Sequence, residues 1–292
     1  MPEKFKPFWN PHPPLRTSYD AVIIGGGLHG LATAYYLARN HGMHNVAVIE
    51  KKYIGFGGSG RNTAIVRANQ RTQENLPLYR EALMLWPDLT RELNFNLMFY
   101  NCGNLNLCHS EAALTAARMQ VASARFYNIR SELIDARQCK ELVPALDISD
   151  RPRYPIMGAM YHPPGGIVRH DAVVWGLAKG AAAHGIHIHQ QTEVTGIGVR
   201  NGKIESVDTL RGRIITPRVL LAAGGYEGTH YESFANVLYP GDTWSQTFNV
   251  HNDGSAAATV ALGDEVLTQL EVMTYTQIVS PYLGVEGPYP QT

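Results

Sequence analysis

A glycine turn placed between an apolar run and an amphipathic stretch constrains this chain more than any other feature. Tyr19–Ile24 is a short apolar run of the kind that forms a buried parallel strand, and Gly25, Gly27 and Gly30 follow it as G-x-G-x-x-G where a helix should begin. Each glycine has its own task in such a turn. The first permits the tight reversal, the second lets a pyrophosphate approach the backbone, and the third lets the helix pack close to the strand. The phosphates then meet helix N–H groups at the positive end of the dipole. Glu50 closes the unit at the end of a second apolar run, Asn45–Glu50, where a carboxylate can accept hydrogen bonds from an adenosine ribose. A carboxylate there would repel the 2'-phosphate of NADP, which leaves NAD or FAD.

With 292 residues and 45% hydrophobic content the chain can bury a large core, and the length predicts about two domains. Its 25 basic and 25 acidic residues cancel, so no global charge argues for nucleic acid or an anionic membrane. Cys102, Cys108 and Cys139 are odd in number and lack C-x-x-C spacing, which fits thiols in a reducing compartment. The N-terminal stretch has no apolar core of a secretion signal, and no apolar run approaches membrane-spanning length, so the cytoplasm is expected. Pro11, Pro13 and Pro14 predict an extended arm over residues 1–17.

Further along, Gly55–Gly60 is a glycine- and serine-rich loop suited to folding over a cofactor. The spacing predicts a helix over Leu76–Leu93, with Pro77 in its first turn and Pro87 kinking or splitting it, and a second helix over Glu111–Tyr127. Leu97–Leu107 reads as a β-hairpin around Asn101–Gly103, and Ser131–Val143 as a short helix ended by Pro144. A strand over Ile156–Tyr161, a helix over Asp171–His184 and strands at Ile186–Gln190, Glu193–Val199, Lys203–Thr209, Arg213–Thr216 and Arg218–Ala222 complete the pattern. Beyond Arg218 the composition changes, for residues 219–292 hold no Lys or Arg but eight acids. Lys and Arg are common in ordinary chains, so this tail looks foreign to what precedes it. Its Thr, Val, Tyr and Gly pattern predicts short strands.

The arm FWN, the segments SYDAVIIGGGLHGLATAYYLARNHG, NVAVIEK, GRNTAIVRAN and GNLNL, then RYPIMGAMYHPPGGIVRHDAVVWGLA, EVTGI and the strand into AAGG carry a specific resemblance. Over about residues 8–225 the chain resembles the FAD-dependent amine and amino-acid oxidoreductases of the D-amino-acid oxidase and sarcosine oxidase type. The resemblance is strongest to the beta subunits of heterotetrameric sarcosine oxidases. It implies an α/β fold: a Rossmann-like FAD-binding domain with an α+β substrate or cap domain, and an atypical C-terminal part. The expected division is an arm over 1–17, a discontinuous FAD-binding domain over 18–77 and 150–226, a partial substrate or cap domain over 78–149, and a divergent tail over 227–292.

The same resemblance implies an enzyme that oxidises a secondary amino acid, sarcosine, to glycine and formaldehyde, with electrons passing from non-covalent FAD to FMN and then to oxygen. Gly25, Gly27, Gly30 and Glu50 match its ADP-binding unit, with Lys51 beside the ribose. Ser59, Arg61 and Asn62 match the loop along the pyrophosphate and flavin, Val194 matches a strand residue whose backbone meets adenine, and Gly224 of AAGG joins the cofactor contacts. Arg67, in the T-x-I-x-R pattern, matches the arginine that pairs with the substrate carboxylate, for which a guanidinium fork is suited. His170, in GGIVRHD, matches the histidine that carries a covalent FMN, with Arg169 near the FMN phosphate; a helix-start histidine is the plainer reading. Other subunits of the sarcosine oxidase type are the expected partners.

Part of that pattern is missing. The family places a lysine near the isoalloxazine in its C-terminal segment, and the tail here has no lysine. A flavin-holding or partner-docking fragment without turnover is therefore the alternative function. An NAD dehydrogenase would explain the glycines but not GRNTAIVR or GGIVRHD. His184, His187 and His189 could approach a metal by spacing, yet no carboxylate or thiolate stands at supporting distance in the sequence, and no metal is expected.

Overall fold

The computed structural model describes residues 7–70, 73–201 and 203–224, together with the backbone of 246–249 and 257–260. Along the chain run β1 (Ala21–Ile24), α1 (Leu28–His41), β2 (Val46–Ile49), β3 (Ile65–Val66), α2 (Leu76–Glu92), β4 (Asn104–Cys108) and α3 (Glu111–Phe126). There follow β5 (Glu132–Asp135), α4 (Ala136–Leu142), β6 (Gly158–His162), β7 (Gly166–Ile167), α5 (His170–Ala183), β8 (His187–His189), β9 (Val194–Arg200), β10 (Lys203–Thr209), β11 (Gly212–Ile215) and β12 (Val219–Leu221). Two short strands, β13 (Gln246–Asn249) and β14 (Ala257–Val260), pair antiparallel within the tail. The tail's other expected strands and residues 1–6 of the arm lie outside the described residues.

The described chain divides into two compact units, one holding the stretch up to Asn62, Leu93–Phe95 and the chain from His170, the other holding Thr63–Glu92 and Asn96–Arg169. In the first unit a parallel sheet runs in the order β12-β1-β2-β8. Its central strands, AVII and VAVI, are buried along their whole length, as a sheet covered on both faces requires. Full burial of Val22, Ile23, Val46 and Val48 stabilises the unit by about 1.5 to 3 kcal/mol per side chain. Helix α1 makes the crossover between β1 and β2 and buries Leu31, Ala34, Tyr35 and Ala38. It ends at Gly42, whose left-handed φ of 64° lets the N–H groups of Gly42 and Met43 close on the last carbonyls. Helix α5 lies beside α1, where a Cβ on Gly180 would stand 3.0 Å from the Tyr35 ring. An antiparallel β-meander, β11-β10-β9, packs Val194, Ile197, Val207 and Ile214 against Val22, Ile24, Ala47 and Ile49.

The second unit is built on the antiparallel sheet β4-β6-β5. Three sequence expectations are corrected there. Leu97–Leu107 is not a hairpin: Met98 turns at φ 53° and Gly103 at φ 76°, Tyr100 bridges Ile167, and β4 pairs with β6, more than fifty residues away. Leu105 and Leu107 then pack on Ile134 and Ala159, a burial that a local hairpin could not supply. Ser131–Val143 is not one helix, because Glu132–Asp135 forms an edge strand and Asp135 opens α4 through a reciprocal capping box with Gln138. Pro87 does not split α2, which continues through it. The bond it removes would have reached Leu83 on a largely exposed stretch, where water can serve the freed carbonyl, and Leu76 and Leu89 are buried towards the two ends.

Candidate functional site

The glycine turn has the geometry its sequence implied. Gly25 sits at φ 114°, and a Cβ there would collide with the Ala222 carbonyl, so β1 and β12 approach only because the residue has no side chain. At Gly30 a Cβ would strike the Gly25 carbonyl, which is the close helix–strand contact in physical form. Gly27 is different, since a Cβ there would meet only the Ser59 hydroxyl, at 3.0 Å. It stands at the N-cap of α1 in extended conformation, gives no side-chain cap, and the first turn carries no acid. The helix's own first turn therefore brings no negative charge to compete with an anion at this terminus.

Glu50 does more than end β2. Its Oε2 accepts the Gly26 N–H at 2.8 Å and its Oε1 accepts the Lys52 N–H at 2.9 Å. Each carboxylate oxygen keeps a second lone pair for a ribose hydroxyl. Sequence reasoning missed both partners, because backbone donors leave no mark in residue identity; the neighbouring Lys51 is exposed.

The loop after β2 closes over the same helix end. Ser59 Oγ accepts the Leu28 N–H at 2.8 Å, supplying the cap that Gly27 lacks. Asn62 Nδ2 donates to the carbonyls of Gly58 and Ser59 and so folds the turn that presents Ser59. The Arg61 guanidinium lies over the Phe56 ring at 4.4 Å, and Lys52 Nζ lies 4.0 Å from the same centroid. Val194 is buried at the start of β9, and Gly224 takes a left-handed φ of 93°. This cradle fits an FAD: glycines without side chains at the turn, a helix start whose own N-cap residue has no side chain, and a fixed carboxylate at the second strand.

In the second unit Arg67 follows β3 directly. The residue is half-buried, and among the described residues its guanidinium makes no hydrogen bond or ion pair. The backbone on either side of it is held. Ile65 and Val66 pair with Ile167 and Gly166 before it, and the Ala68 N–H donates to His162 Nε2 at 3.2 Å after it.

A family profile for FAD dependent oxidoreductases matches residues 20–264 of the chain. The chain belongs to that family. It is 45% identical over 219 residues to the sarcosine oxidase subunit beta of Rhizobium meliloti, covering 75% of this chain and 52% of that one. It is 42% identical over 227 residues to the corresponding subunit of an Arthrobacter species, covering 77% and 56%. The chain thus spans about half the length of the curated relatives it matches. Among solved structures it superposes on L-proline dehydrogenase of P. horikoshii with a TM-score of 0.66 at 28% identity, covering 71% of this chain and 53% of that one. Glycine oxidase from Geobacillus kaustophilus gives 0.64 at 25% identity, covering 72% and 56%.

In this FAD dependent oxidoreductase His170 begins α5, and its Nδ1 is buried without a hydrogen-bond partner among the described residues. Arg169, just before the helix, is exposed and donates its backbone N–H to the Leu97 carbonyl. His187 and His189 both reach the Tyr19 hydroxyl, Nδ1 of the former at 2.9 Å and Nε2 of the latter at 3.0 Å. A hydroxyl has one hydrogen, so one imidazole accepts it while the other donates to the phenolic oxygen. Burial, then the positive charges of Arg211 and His187, push His189 down to about 4. Among the described residues no group of three metal-ligating side chains occurs, and no helix is long and apolar enough to cross a membrane.

Proposed function

We propose that this chain is the FAD-holding and substrate-recognising part of an amine oxidoreductase acting on N-methylglycine. The observation that carries the reading is Arg67, a half-buried residue whose guanidinium has no ion-pair partner among the described residues, in a chain of an FAD dependent oxidoreductase family. A planar fork of donors without a carboxylate of its own is suited to take one from a ligand. FAD, when bound, would supply the acceptor for the hydride equivalent that leaves a methyl C–H bond, the amine losing its N–H proton, and the resulting imine would take up water to give formaldehyde and glycine. Gly25, Gly27 and Gly30 would hold its pyrophosphate and Glu50 its ribose, with Lys51, Ser59, Arg61, Asn62, Val194 and Gly224 along the same cofactor.

His170 is proposed as the attachment point of a second flavin, FMN, with Arg169 toward its phosphate. The support is the GGIVRHD motif together with a buried ring nitrogen that has no hydrogen-bond partner among the described residues. FMN there would carry the electrons onward to oxygen. The cytoplasm and an assembly with other subunits of the sarcosine oxidase type complete the proposal; the curated relatives are themselves named as subunits.

Half-length coverage of those relatives favours one other reading, a flavin-holding or partner-docking fragment without turnover. Anaerobic mixing of the FAD-loaded chain with N-methylglycine separates the two. Bleaching of the flavin absorbance supports the enzyme. Yellow protein that keeps its absorbance at saturating amine leaves the fragment.

A further inference from the structure

His162 is the last residue of β6, fully buried, and both of its ring nitrogens are used. Nε2 accepts the Ala68 N–H at 3.2 Å, and Nδ1 lies 2.6 Å from the Arg130 carbonyl. An N–H on one side and a carbonyl on the other admit a single tautomer, with the proton on Nδ1, and they admit only the neutral ring. Burial, and then the positive charge of Arg67, act in the same direction by lowering the basicity of the ring.

The Ala68 N–H is the first backbone donor after Arg67. One residue further, the Asn69 carbonyl accepts from Gln120 Nε2 of α3 at 2.9 Å. Before Arg67, Val66 is paired with Gly166. The backbone that carries the guanidinium is therefore clamped on both sides while its side chain is left without a partner among the described residues. An arginine that only filled space would gain nothing from this arrangement. A receptor gains from it, because a fork held in place loses less freedom when a carboxylate arrives.

We propose that His162 is a positioning residue for carboxylate recognition, acting through the Ala68 N–H to hold Arg67 in register. This rests on the reading of Arg67 given above. His162 itself touches no substrate in the proposal. Its contribution is a neutral acceptor at the one place where a cation or a second donor would release the Arg67 segment.

The test uses the FAD-loaded chain and two isosteres that keep different halves of the imidazole. His162→Gln retains an acceptor near the place of Nε2, whereas His162→Asn retains only the donor near Nδ1. Binding is measured by calorimetry with N-methylglycine and with dimethylamine, which lacks the carboxylate, and folding by circular dichroism. His162→Asn should weaken N-methylglycine binding about ten-fold, the loss expected for one buried hydrogen bond, and leave dimethylamine unchanged. His162→Gln should recover most of that loss. In an Arg67→Ala background, His162→Asn should weaken binding no further, because its route runs through Arg67.

Additive losses in the double variant, or an equal loss of both amines, overturn the proposal and leave the Arg67 reading standing. A wild-type chain that binds the two amines alike overturns the Arg67 reading and this one together. Should His162→Asn not fold, amide exchange of Ala68 decides the matter. Protection in wild type and in His162→Gln supports the clamp, and fast exchange in folded wild type overturns it.

Discussion

Glu50 Oε2 accepts the backbone N–H of Gly26 at 2.8 Å, so the acid that ends β2 is tied to the turn that follows β1. With Lys52 N–H on the other oxygen, the carboxylate is oriented before any ligand arrives. Glu50→Ala removes the anchor of two backbone donors and the proposed ribose acceptor at once. The expected loss of FAD affinity is about 1 to 3 kcal/mol, or roughly ten- to a hundred-fold in Kd. Fluorescence quenching of FAD on titration with the variant measures it.

The three glycines of the turn should separate by experiment. Gly25→Ala and Gly30→Ala place a Cβ against the carbonyls of Ala222 and Gly25, and each should lower stability by on the order of 3 kcal/mol, read from urea midpoints. Gly27→Val meets mainly the Ser59 hydroxyl and should fold. It should nevertheless purify colourless, since the side chain would stand where the pyrophosphate approaches. A folded Gly27→Val protein with a full complement of FAD would falsify the role given to this turn.

Arg67 should govern affinity for the carboxylate. Arg67→Ala is expected to weaken N-methylglycine binding by about 3 kcal/mol, and Arg67→Lys, which keeps the charge and loses the fork, by less. In turnover both changes should raise KM. Equal kinetics for N-methylglycine and dimethylamine in the unmutated protein would remove this role.

At His170 the outcome is a mass. Coexpressed with partner subunits, the chain should yield one flavin that acid releases and a second that remains with the polypeptide, and His170→Ala should abolish only the second. Peptide mass spectrometry of the assembly checks it: a His170 peptide without added flavin returns this residue to a plain helix start.

Stability should fall as pH drops below the ordinary histidine range. His189 titrates at about 4 in the fold, and His162 and His187 are also lowered, burial being the leading cause in each case. Above the ordinary histidine range both folded and unfolded chains hold these rings neutral, so stability is complete. As pH falls from about 6.5 towards 4, the unfolded chain takes up a proton that the folded chain refuses at His189, at up to about 1.4 kcal/mol per pH unit, and His162 and His187 act in the same direction. Urea titrations at pH 7, 6 and 5 should show a steady decline, and an unchanged midpoint would contradict it.

Most of the cofactor half was legible in the residues themselves. Val22, Ile23, Val46 and Val48 announce buried parallel strands because both faces must be apolar, and Gly25 and Gly30 announce the turn because no side chain fits those contacts. These are local constraints, carried by nearest neighbours and by spacing. What tertiary structure decided is of another kind. Asn104–Cys108 took a distant strand as its partner, Glu132–Asp135 became an edge strand, and α2 ran through Pro87, each set by burial and solvent exposure that only the assembled units define. The clamp of Ala68 by His162 joins residues 94 positions apart through one backbone N–H. Backbone donors are the same in every residue but proline, so a sequence can name the side chain that carries a charge but not the hydrogen bonds that aim it.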